Sequence, residues 1–363
     1  MHPKPLHILI SPLDWGLGHA SRCIPVINQV TKAGHIVTVA GHGRSFILLQ
    51  KEFPSLEHIE LKGFSPSYAL SGKLLFHLFM LLPEFFLSIL REHRELKKII
   101  AKQHFDIIIS DNRYGLWNSK IMSILITHQV MIKTPPWLRF AEYLIYSVSR
   151  LLISRFDECW IPDYEEAPGL SGDLSHKYPL PQNAKFIGPL SRFKESESST
   201  DVNPGEIKIT AIISGPEPQR SIFEYIVTEQ LTGLKQLSTI IRGRPESEKA
   251  EADGGNLTVL PHLSSNEMKS LINSSSIVIC RSGYSTIMDL QALGVKALFV
   301  PTPGQTEQIY LAELHQKEGN AAWCKQKRLN LKTEIENALK FPGFRNKAVE
   351  PGIVDAVADL KKK

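Results

Sequence analysis

Two sets of alternating strands and helices make up this sequence, and the alternation limits what the chain can fold into. In the first set, apolar runs typical of buried strands, such as residues 6–11 and 105–110, are followed by segments whose apolar residues recur at helical spacing. A second set begins at residue 207, after a polar stretch rich in serine and acidic residues. Because strands that alternate with helices imply right-handed crossovers and parallel pairing, the sequence predicts an α/β fold with two βαβ domains.

The length of the chain, 363 residues, exceeds what a single hydrophobic core usually supports, which also favours two domains. We predict an N-terminal domain over residues 1–193, a linker over 194–206, a C-terminal domain over 207–345, and a terminal helix with a basic tail over 346–363. Ligands of parallel sheets lie at the carboxyl ends of the strands, so polar residues in those positions are the candidates for a functional site.

Charge and cysteine content argue against several classes of protein. The net charge of +5 is too weak and too dispersed for a nucleic-acid-binding protein, although it allows contact with an acidic substrate or an anionic membrane surface. The four cysteines are widely separated and lack a CxxC spacing, which argues against a metal site and favours buried thiols in a reducing compartment. The first apolar run is too short for a signal peptide, so we expect a cytoplasmic protein.

An apolar strand, residues 276–280, leads into a small polar turn and then a helix. The turn is Arg281-Ser282-Gly283, and the helix begins near Ser285. Amides in the first turn of a helix have no intrahelical partners, and together with the helix dipole and nearby hydroxyl groups they favour a bound anion such as phosphate. Arg281 can add charge-assisted hydrogen bonds. An ordinary capped turn without a ligand is the alternative.

A glycine loop follows the first strand and opens the first helix. Gly16 and Gly18 allow a ligand to approach the backbone closely, and His19 lies at the start of the helix. The loop lacks the third glycine of a dinucleotide fingerprint, which argues against hydride transfer. His19 is therefore a candidate for ligand binding or proton transfer, unless it only caps the helix.

Polar residues end two further strands of the first set. Asp111, Asn112 and Arg113 follow one strand, and His128 ends the next. By the strand-end rule we expect these residues to share a cleft with the glycine loop. Any one of them could instead cap a loop, so the argument rests on their convergence.

Leu74 to Leu90 is the most apolar stretch of the chain. His77, Pro83 and Glu84 interrupt it, so it is a poor membrane span, and we predict two helices joined at Pro83. A buried core or interdomain helix is the favoured interpretation. The alternative is an interfacial element that meets lipid or a lipid-linked substrate.

In residues 262–319 the sequence resembles the C-terminal domain of glycosyltransferase family 28, the family of the N-acetylglucosaminyltransferase of peptidoglycan synthesis. The shared pattern is a Ser-Gly-x-x-Thr turn from Ser282 to Thr286, an acid three residues further on, a glycine before a strand and a proline, and a glutamine-containing segment. The loop from Gly16 to His19 also matches the family's N-terminal glycine loop. The resemblance implies a GT-B fold, which consists of two Rossmann-like βαβ domains facing across a cleft.

The resemblance also assigns donor-binding roles to matching positions. These are Ser282, Gly283, Ser285 and Thr286 for the diphosphate, His262 and Leu263 for the base, Gln305 and Gln308 for the donor sugar, and Ser214, Gly215 and Arg220 in the family's glycine-rich turn. Asp289 stands where the family has a ribose-binding glutamate, and its side chain is one methylene shorter. Pro216 and Pro218 also depart from the family, because they stiffen that turn, while Arg220 is placed to neutralise charge.

The chemistry that the resemblance implies is transfer of a sugar from a nucleotide diphosphate, with UDP expected, to an acceptor hydroxyl. Such a reaction is expected to need no metal and no cofactor and to invert the anomeric centre. A general base must deprotonate the acceptor, and His19 is the first choice, with Asp111 or Asp14 in reserve. A lipid-linked acceptor would bring the protein to the inner face of the membrane through Leu74 to Leu90.

Two other interpretations stay open from the sequence. Nucleotide-sugar epimerases of the non-hydrolysing kind share this two-domain fold, but they would need several carboxylates around the sugar, and the first domain offers few. The other is a catalytically silent protein that retains the nucleotide-sugar pocket.

Overall fold

The computed structural model describes residues 4–63, 74–193, 207–247, 251–252, 255–345 and 352–360. These residues form two compact units. Unit 1 contains residues 4–63, 76–190 and 352–360, and the other described residues fall in unit 2. The predicted linker, 194–206, and the three lysines at the end of the chain lie outside the described residues.

Unit 1 contains a seven-stranded parallel sheet with helices between its strands. Its elements up to residue 190 are β1 (His7–Pro12), α1 (Leu17–Lys32), β2 (Ile36–Gly41), α2 (Gly43–Glu52), β3 (Glu57–Glu60), α3 (Leu74–Lys102), β4 (Ile107–Asp111), β5 (Met122–Ile126), a 3-10 helix (Pro136–Ala141), α4 (Glu142–Ile153), β6 (Glu158–Ile161), α5 (Asp173–His176) and β7 (Ala184–Phe186).

The order of the strands in this sheet is β3-β2-β1-β4-β5-β6-β7. The direction of winding changes between β1 and β4, which pair side by side although two strands separate them in sequence. At such a switch point the loops beyond the carboxyl ends diverge and leave a crevice. Nearly every residue of β1 and β4 is buried, as expected for parallel strands that are covered on both faces.

Unit 2 repeats this architecture. Its elements are β8 (Lys208–Ile212), α6 (Gln219–Thr232), β9 (Leu237–Ile241), β10 (Glu251–Ala252), β11 (Leu257–Leu260), α7 (Ser265–Asn273), β12 (Ile277–Cys280), α8 (Tyr284–Leu293), β13 (Ala297–Phe299), α9 (Thr306–Lys317), β14 (Ala321–Trp323), a 3-10 helix (Gln326–Arg328) and α10 (Leu331–Leu339). The strand order is β10-β11-β9-β8-β12-β13-β14, in which the short β10 is antiparallel to β11. The switch point lies between β8 and β12, and the predicted pair of α/β domains is confirmed.

The terminal helix, α11 (Gly352–Ala358), packs on unit 1. It contacts α1. Its first residue, Gly352, lies so close to Ile187 that a Cβ atom there would be 2.6 Å from the Ile187 carbonyl carbon. The described end of the chain is therefore a packed part of unit 1.

The prediction of two helices joined at Pro83 is wrong, because α3 runs from Leu74 to Lys102 through the proline. A proline removes one backbone hydrogen bond, and the leucines and the glutamate around it favour helix. The interpretation as a buried helix is confirmed only in part for the described side chains of this stretch, because Ser88 and Ile89 are buried while Phe86, Leu87 and Leu90 are about half exposed. The side chains of residues 74–82 lie outside the described part. No helix that the structure describes is long and apolar enough to cross a membrane.

Arg113, which we expected in the cleft, instead joins α3 to the sheet. Its guanidinium is buried and donates to Glu92 Oε1 of α3 (3.0 Å), to Ser11 Oγ of β1 (2.9 Å) and to the carbonyl oxygens of Leu61 and Lys62. The other carboxylate oxygen of Glu92 accepts from the backbone N–H of Gly115 (3.3 Å). Arg113 is therefore a structural residue of unit 1.

Replacing Arg113 with Met should lower the free energy of unfolding by about 3 kcal/mol, because the substitution leaves Glu92 buried without its charged partner. Urea unfolding measures this difference. Lys98→Met, which breaks an exposed ion pair with Glu95 on the same helix, is the matched control and should change little. Equal effects of the two substitutions would contradict the structural role of Arg113.

Candidate active site

The glycine loop between β1 and α1 lies at the switch point of unit 1. Gly16 is the N-cap residue of α1 and has a φ of 78°, a left-handed conformation that favours glycine. No atom of the described residues lies within 4 Å of the place where its Cβ would be, so the loop backbone borders open space. The Ser45 hydroxyl donates to the Gly16 carbonyl oxygen (2.9 Å) and holds the loop against α2.

His19 lies in the first turn of α1 and contacts the end of β4. Its Nδ1 is 2.7 Å from Oδ1 of Asp111, the last residue of β4. Nδ1 also lies 2.9 Å from Nη2 of Arg22, which can only donate. We assign the N–H to Nδ1 on its shorter contact, because an ionised carboxylate only accepts hydrogen bonds, and this leaves Nε2 of the neutral ring as the proton acceptor. The His19 side chain is 14% exposed. An accessible imidazole oriented by a buried carboxylate is an arrangement suited to a general base.

Arg22, which was not among the residues predicted from the sequence, completes this cluster. Its Nε and Nη2 groups both donate to the Asp111 carboxylate, and its Nη1 lies 3.0 Å from Nδ1 of His128, just after β5. Arg22 therefore links α1 to two neighbouring strand ends. The signal in the sequence was a basic residue one turn after His19, within an otherwise buried apolar stretch of the helix.

Asp111 is completely buried and ionised. Burial raises the pKa of its carboxyl group, but the charges and hydrogen bonds of Arg22 and His19 outweigh that effect and lower the pKa of Asp111 to about 2. A carboxylate with so low a pKa is a weak base near neutral pH. The geometry therefore suits Asp111 to orienting His19 rather than to accepting the proton of a substrate.

Asp14, the other reserve base, packs against a different helix. A Cβ atom on Gly43 would come within 2.2 Å of Asp14 Oδ2, so the carboxylate lies directly against that glycine. Gly43 is the first residue of α2, where the helix dipole stabilises a negative charge. The position of Asp14 is explained by this contact with the start of α2.

In unit 2 the candidate donor-binding residues lie at one edge of the sheet. Ser214 and Gly215 come after β8, His262 and Leu263 after β11, Arg281 to Gly283 after β12, and Gln305 and Gln308 after β13. All of these strands run parallel, so their carboxyl ends share that edge. The structure thus places the candidates along one edge of the sheet, and those after β8 and β12 flank the second switch point.

The polar turn after β12 opens α8, as predicted. Gly283 is the N-cap, and the helix ends at Gly294 in the left-handed region, with a φ of 66°. Ser285 and Thr286 are partly exposed in the first turn. Across the switch point, Gly215 has a φ of 110°, which requires glycine, and this keeps the loop after β8 free of a side chain next to the helix start.

Arg281 does not fit the predicted contact with phosphate. Its guanidinium is buried and donates to the carbonyl oxygens of Val300 (2.8 Å) and Gln219 (3.0 Å). It also lies 4.0 Å from the centre of the Phe223 ring. Arg281 therefore braces the loops of the switch point from inside the unit.

Ser282 and Gln308 also use polar groups in hydrogen bonds within unit 2. The buried Ser282 hydroxyl donates to the Gln308 carbonyl oxygen (2.7 Å), and Gln308 Oε1 accepts from the backbone N–H of Thr302 (2.8 Å). These bonds join the starts of α8 and α9. A ligand could be reached by the backbone near Ser282 and by the amide nitrogen of Gln308 rather than by the groups already bonded.

Arg220 is also occupied by protein groups. It is buried, its Nε donates to Glu217 Oε1 (2.7 Å), and its Nη1 lies 2.8 Å from Glu224 Oε2. Two carboxylates thus pair with Arg220, although Glu224 also lies 2.6 Å from Arg242 Nε. The expectation that Arg220 neutralises a phosphate does not fit this geometry.

Asp289 lies on α8 with its carboxylate held inside unit 2. Oδ1 accepts from the Ser191 hydroxyl (2.8 Å), and Oδ2 lies 3.3 Å from Arg192 Nε. Burial raises the pKa of the Asp289 carboxyl group, and Arg192 and Ser191 oppose that shift. A ribose that binds Asp289 would therefore have to replace at least one of these partners.

Comparisons with known sequences agree with this architecture. Residues 220–350 match the family model described as the glycosyltransferase family 28 C-terminal domain. An uncharacterized glycosyltransferase of Methanosarcina acetivorans is 26% identical over 344 residues, which cover 86% of this chain and 84% of the relative. A UDP-N-acetylglucosamine--N-acetylmuramyl-(pentapeptide) pyrophosphoryl-undecaprenol N-acetylglucosamine transferase of Desulforudis audaxviator is 35% identical over 91 residues, 24% of this chain and 23% of the relative.

Solved structures show the same fold over the whole chain. MurG of Acinetobacter baumannii has a TM-score of 0.57 at 12% identity, and the match covers 98% of each chain. The spinosyn rhamnosyltransferase SpnG has a TM-score of 0.61 at 13% identity, and the match covers 97% of this chain and 94% of the other. The fold is therefore the two-domain GT-B fold of glycosyltransferases. In its C-terminal half, over residues 220–350, the chain is similar to glycosyltransferases of family 28, and over most of its length it is similar to the Methanosarcina glycosyltransferase.

Asp111→Asn should lower the free energy of unfolding at neutral pH, because it removes the charge that Arg22 and His19 stabilise. The folded pKa of about 2 lies below the ordinary value of 3.8, so this stabilisation is present above pH 4 and is lost as the pH falls towards 2. The stabilisation lost between pH 4 and pH 2 amounts to about 2 kcal/mol. Urea unfolding at several pH values should show the gap between wild type and variant narrowing with acid. A difference in unfolding free energy that does not change with pH would contradict the assignment of Asp111 as an ionised carboxylate.

Proposed function

We propose that this protein transfers a sugar from a UDP-sugar to an acceptor hydroxyl by one inverting displacement that needs no metal ion. The observation that carries the proposal is the hydrogen bond from His19 Nδ1 to the buried carboxylate of Asp111 (2.7 Å). It places an oriented imidazole at the switch point of unit 1, where the fold leaves a crevice.

The proposed reaction is a single proton-coupled displacement. The acceptor O–H gives its proton to Nε2 of His19 while its oxygen bonds to the anomeric carbon of the donor. The bond from that carbon to the diphosphate breaks, and its electron pair leaves with UDP. Asp111 keeps its charge and stabilises the imidazolium that forms. One displacement at the anomeric carbon inverts its configuration.

We assign donor binding to the carboxyl edge of unit 2. The first-turn amides of α8 and the helix dipole suit a diphosphate, and the partly exposed hydroxyl groups of Ser285 and Thr286 can add hydrogen bonds. Such fixed donors can stabilise the charge that develops on a leaving diphosphate, which supports a reaction without a metal ion. Asp289 is the proposed ligand of the ribose.

The uridine nucleotide and a lipid-linked acceptor follow from the named relative rather than from geometry. The Desulforudis enzyme is named for UDP-N-acetylglucosamine and an undecaprenol-linked acceptor. The glycosyltransferase SsfS6, with a TM-score of 0.58, was solved with thymidine diphosphate, so both nucleotides belong in a binding test. The exposed Phe86, Leu87 and Leu90 support a peripheral membrane contact through the stretch from Leu74 to Leu90, at the cytoplasmic face.

Glycosyl transfer is favoured over the two alternatives. The relatives and structures reported above are glycosyltransferases, and none of them supports an epimerase or a silent binding protein. An epimerase would interconvert the donor sugar without forming UDP. A silent protein would bind UDP or thymidine diphosphate without turnover.

His19→Ala should lower the rate of UDP formation by on the order of a hundredfold or more, because it removes the proposed base. The assay follows UDP released from a panel of UDP-sugars in the presence of lipid-linked acceptors, and calorimetry measures UDP affinity, which should stay nearly unchanged. His42→Ala is the matched control, since His42 is a half-exposed histidine of unit 1 that pairs with Glu60. Turnover at the wild-type rate in His19→Ala would assign the base to another group.

Asp289→Ala should weaken UDP binding roughly tenfold to hundredfold, because it removes one or two hydrogen bonds to the ribose. Ser191→Ala separates this role from a structural one. If Asp289 binds ribose, removing the Ser191 hydroxyl frees a carboxylate oxygen and should leave UDP affinity equal or higher. If both variants weaken UDP binding to the same extent, Asp289 acts by holding the Ser191–Arg192 segment, and the ribose is bound elsewhere.

A further inference from the structure

Large apolar side chains on the 3-10 helix before α4 and on α4 itself share one exposed face. This α4 face consists of Trp137, Phe140, Leu144, Val148 and Leu151. Phe140 is 82% exposed, and Trp137, Leu144 and Leu151 are between 63% and 68% exposed. Their spacing of three or four residues places them on one side of the helix, while Tyr146 and Ile153 pack into the core on the other. Soluble monomers rarely expose so many large apolar groups in one place.

The charges beside the α4 face are basic. Arg139 and Arg150 are exposed, and neither forms an ion pair with any residue that the structure describes. Glu142, the acidic residue of α4, is buried and paired with Lys177. The face therefore presents aromatic and aliphatic groups with an uncompensated positive charge at its edge.

This combination matches the surface of an anionic bilayer. Aromatic and leucine side chains enter the region between headgroups and acyl chains, and arginines reach lipid phosphates. We propose that the α4 face is a membrane-docking surface that lies in the interface of a bilayer containing anionic lipid. The proposal extends the membrane contact in the proposed function to a second helix. It rests on the proposed function only for the reason why the protein would dock, which is to reach a lipid-linked acceptor.

The segment just after α4 and the helix that we proposed for membrane contact above both contact the loop after β4. Phe85 of α3 contacts the ring of Tyr114, with 6.1 Å between centroids, and His93 of α3 stacks on Trp117 at 4.4 Å. Arg155, two residues after α4, lies 5.8 Å from the same indole ring. The two helices thus flank one loop of unit 1, and the exposed apolar residues of α3 and α4 are parts of neighbouring elements.

A second copy of the chain fits the α4 face less well than lipid does. Two α4 helices that packed antiparallel around Leu144 would bring Arg139 of each copy next to Arg150 of the other. Like charges at such a contact repel, and no exposed acid on α4 compensates them. An anionic surface removes this repulsion.

Vesicle flotation with the purified full-length chain tests the proposal without donor, acceptor or turnover. The wild type should float with vesicles of phosphatidylcholine and phosphatidylglycerol, and much less with phosphatidylcholine alone or at high salt. Phe140→Ser combined with Leu144→Ser should lose most of this binding. Arg139→Gln combined with Arg150→Gln should weaken it about twenty-five-fold, from about fivefold for each basic residue near an anionic surface.

Tyr225→Ser is the matched control, because Tyr225 is a comparably exposed aromatic residue on α6 of unit 2 and should leave flotation unchanged. Thermal unfolding should confirm that each variant is folded.

Wild-type flotation by the Phe140/Leu144 variant would overturn the proposal. Loss of flotation in Phe86→Ser with Leu90→Ser, together with wild-type flotation of the Phe140/Leu144 variant, would assign docking to α3 alone. If the wild type does not bind vesicles but is a dimer in light scattering, and the Phe140/Leu144 variant is a monomer, the α4 face would be assigned to contact with a second copy. Because UDP formation is measured separately, failure of docking and failure of the proposed reaction are distinguishable.

Discussion

The buried carboxylate of Asp111 is the interaction on which the candidate site of unit 1 depends. A buried carboxyl group without charged partners would favour its neutral form, and it would then no longer fix the proton position on His19. Arg22 prevents this by donating two hydrogen bonds to the carboxylate. The orientation of His19 therefore follows from the pairing of β1 with β4, which brings α1 and Asp111 together at the switch point.

Unit 2 uses buried arginines for a different purpose at the equivalent place. Arg281 bonds to two carbonyl oxygens and Arg220 pairs with two carboxylates, so neither side chain is directed to a ligand. What remains at the carboxyl edge is the start of α8, with partly exposed hydroxyl groups and a positive helix dipole. A helix start of this kind can stabilise charge that develops on a departing diphosphate.

Local patterns in the sequence predicted the strands and the edge at which the candidates meet. Apolar runs identified β1 and β4, and the strand-end rule predicted that His19 and Asp111 lie near each other. The partners of the arginines could not be predicted in this way, because an arginine after a strand looks the same whether it faces a ligand or the interior. For Arg281 the question is settled by the carbonyl of Val300, which comes from another element of the fold. For Arg220 it is settled within α6, because Glu224 lies one turn after Arg220 on the same helix.

The periodicity of α4 illustrates the same limit in a helix. The sequence predicts an amphipathic helix here, but apolar residues occur on both sides of it, so the pattern alone does not identify the side that faces the core. The structure shows that one side packs in the core of unit 1 while Phe140, Leu144 and Leu151 remain exposed. The proposed base and this exposed face therefore belong to one compact unit. An acceptor anchored in a bilayer stays at the bilayer surface. A protein docked through the α4 face would keep His19 in the unit that is fixed to that surface. Exchange of UDP on unit 2 would then not require release of the protein from the bilayer.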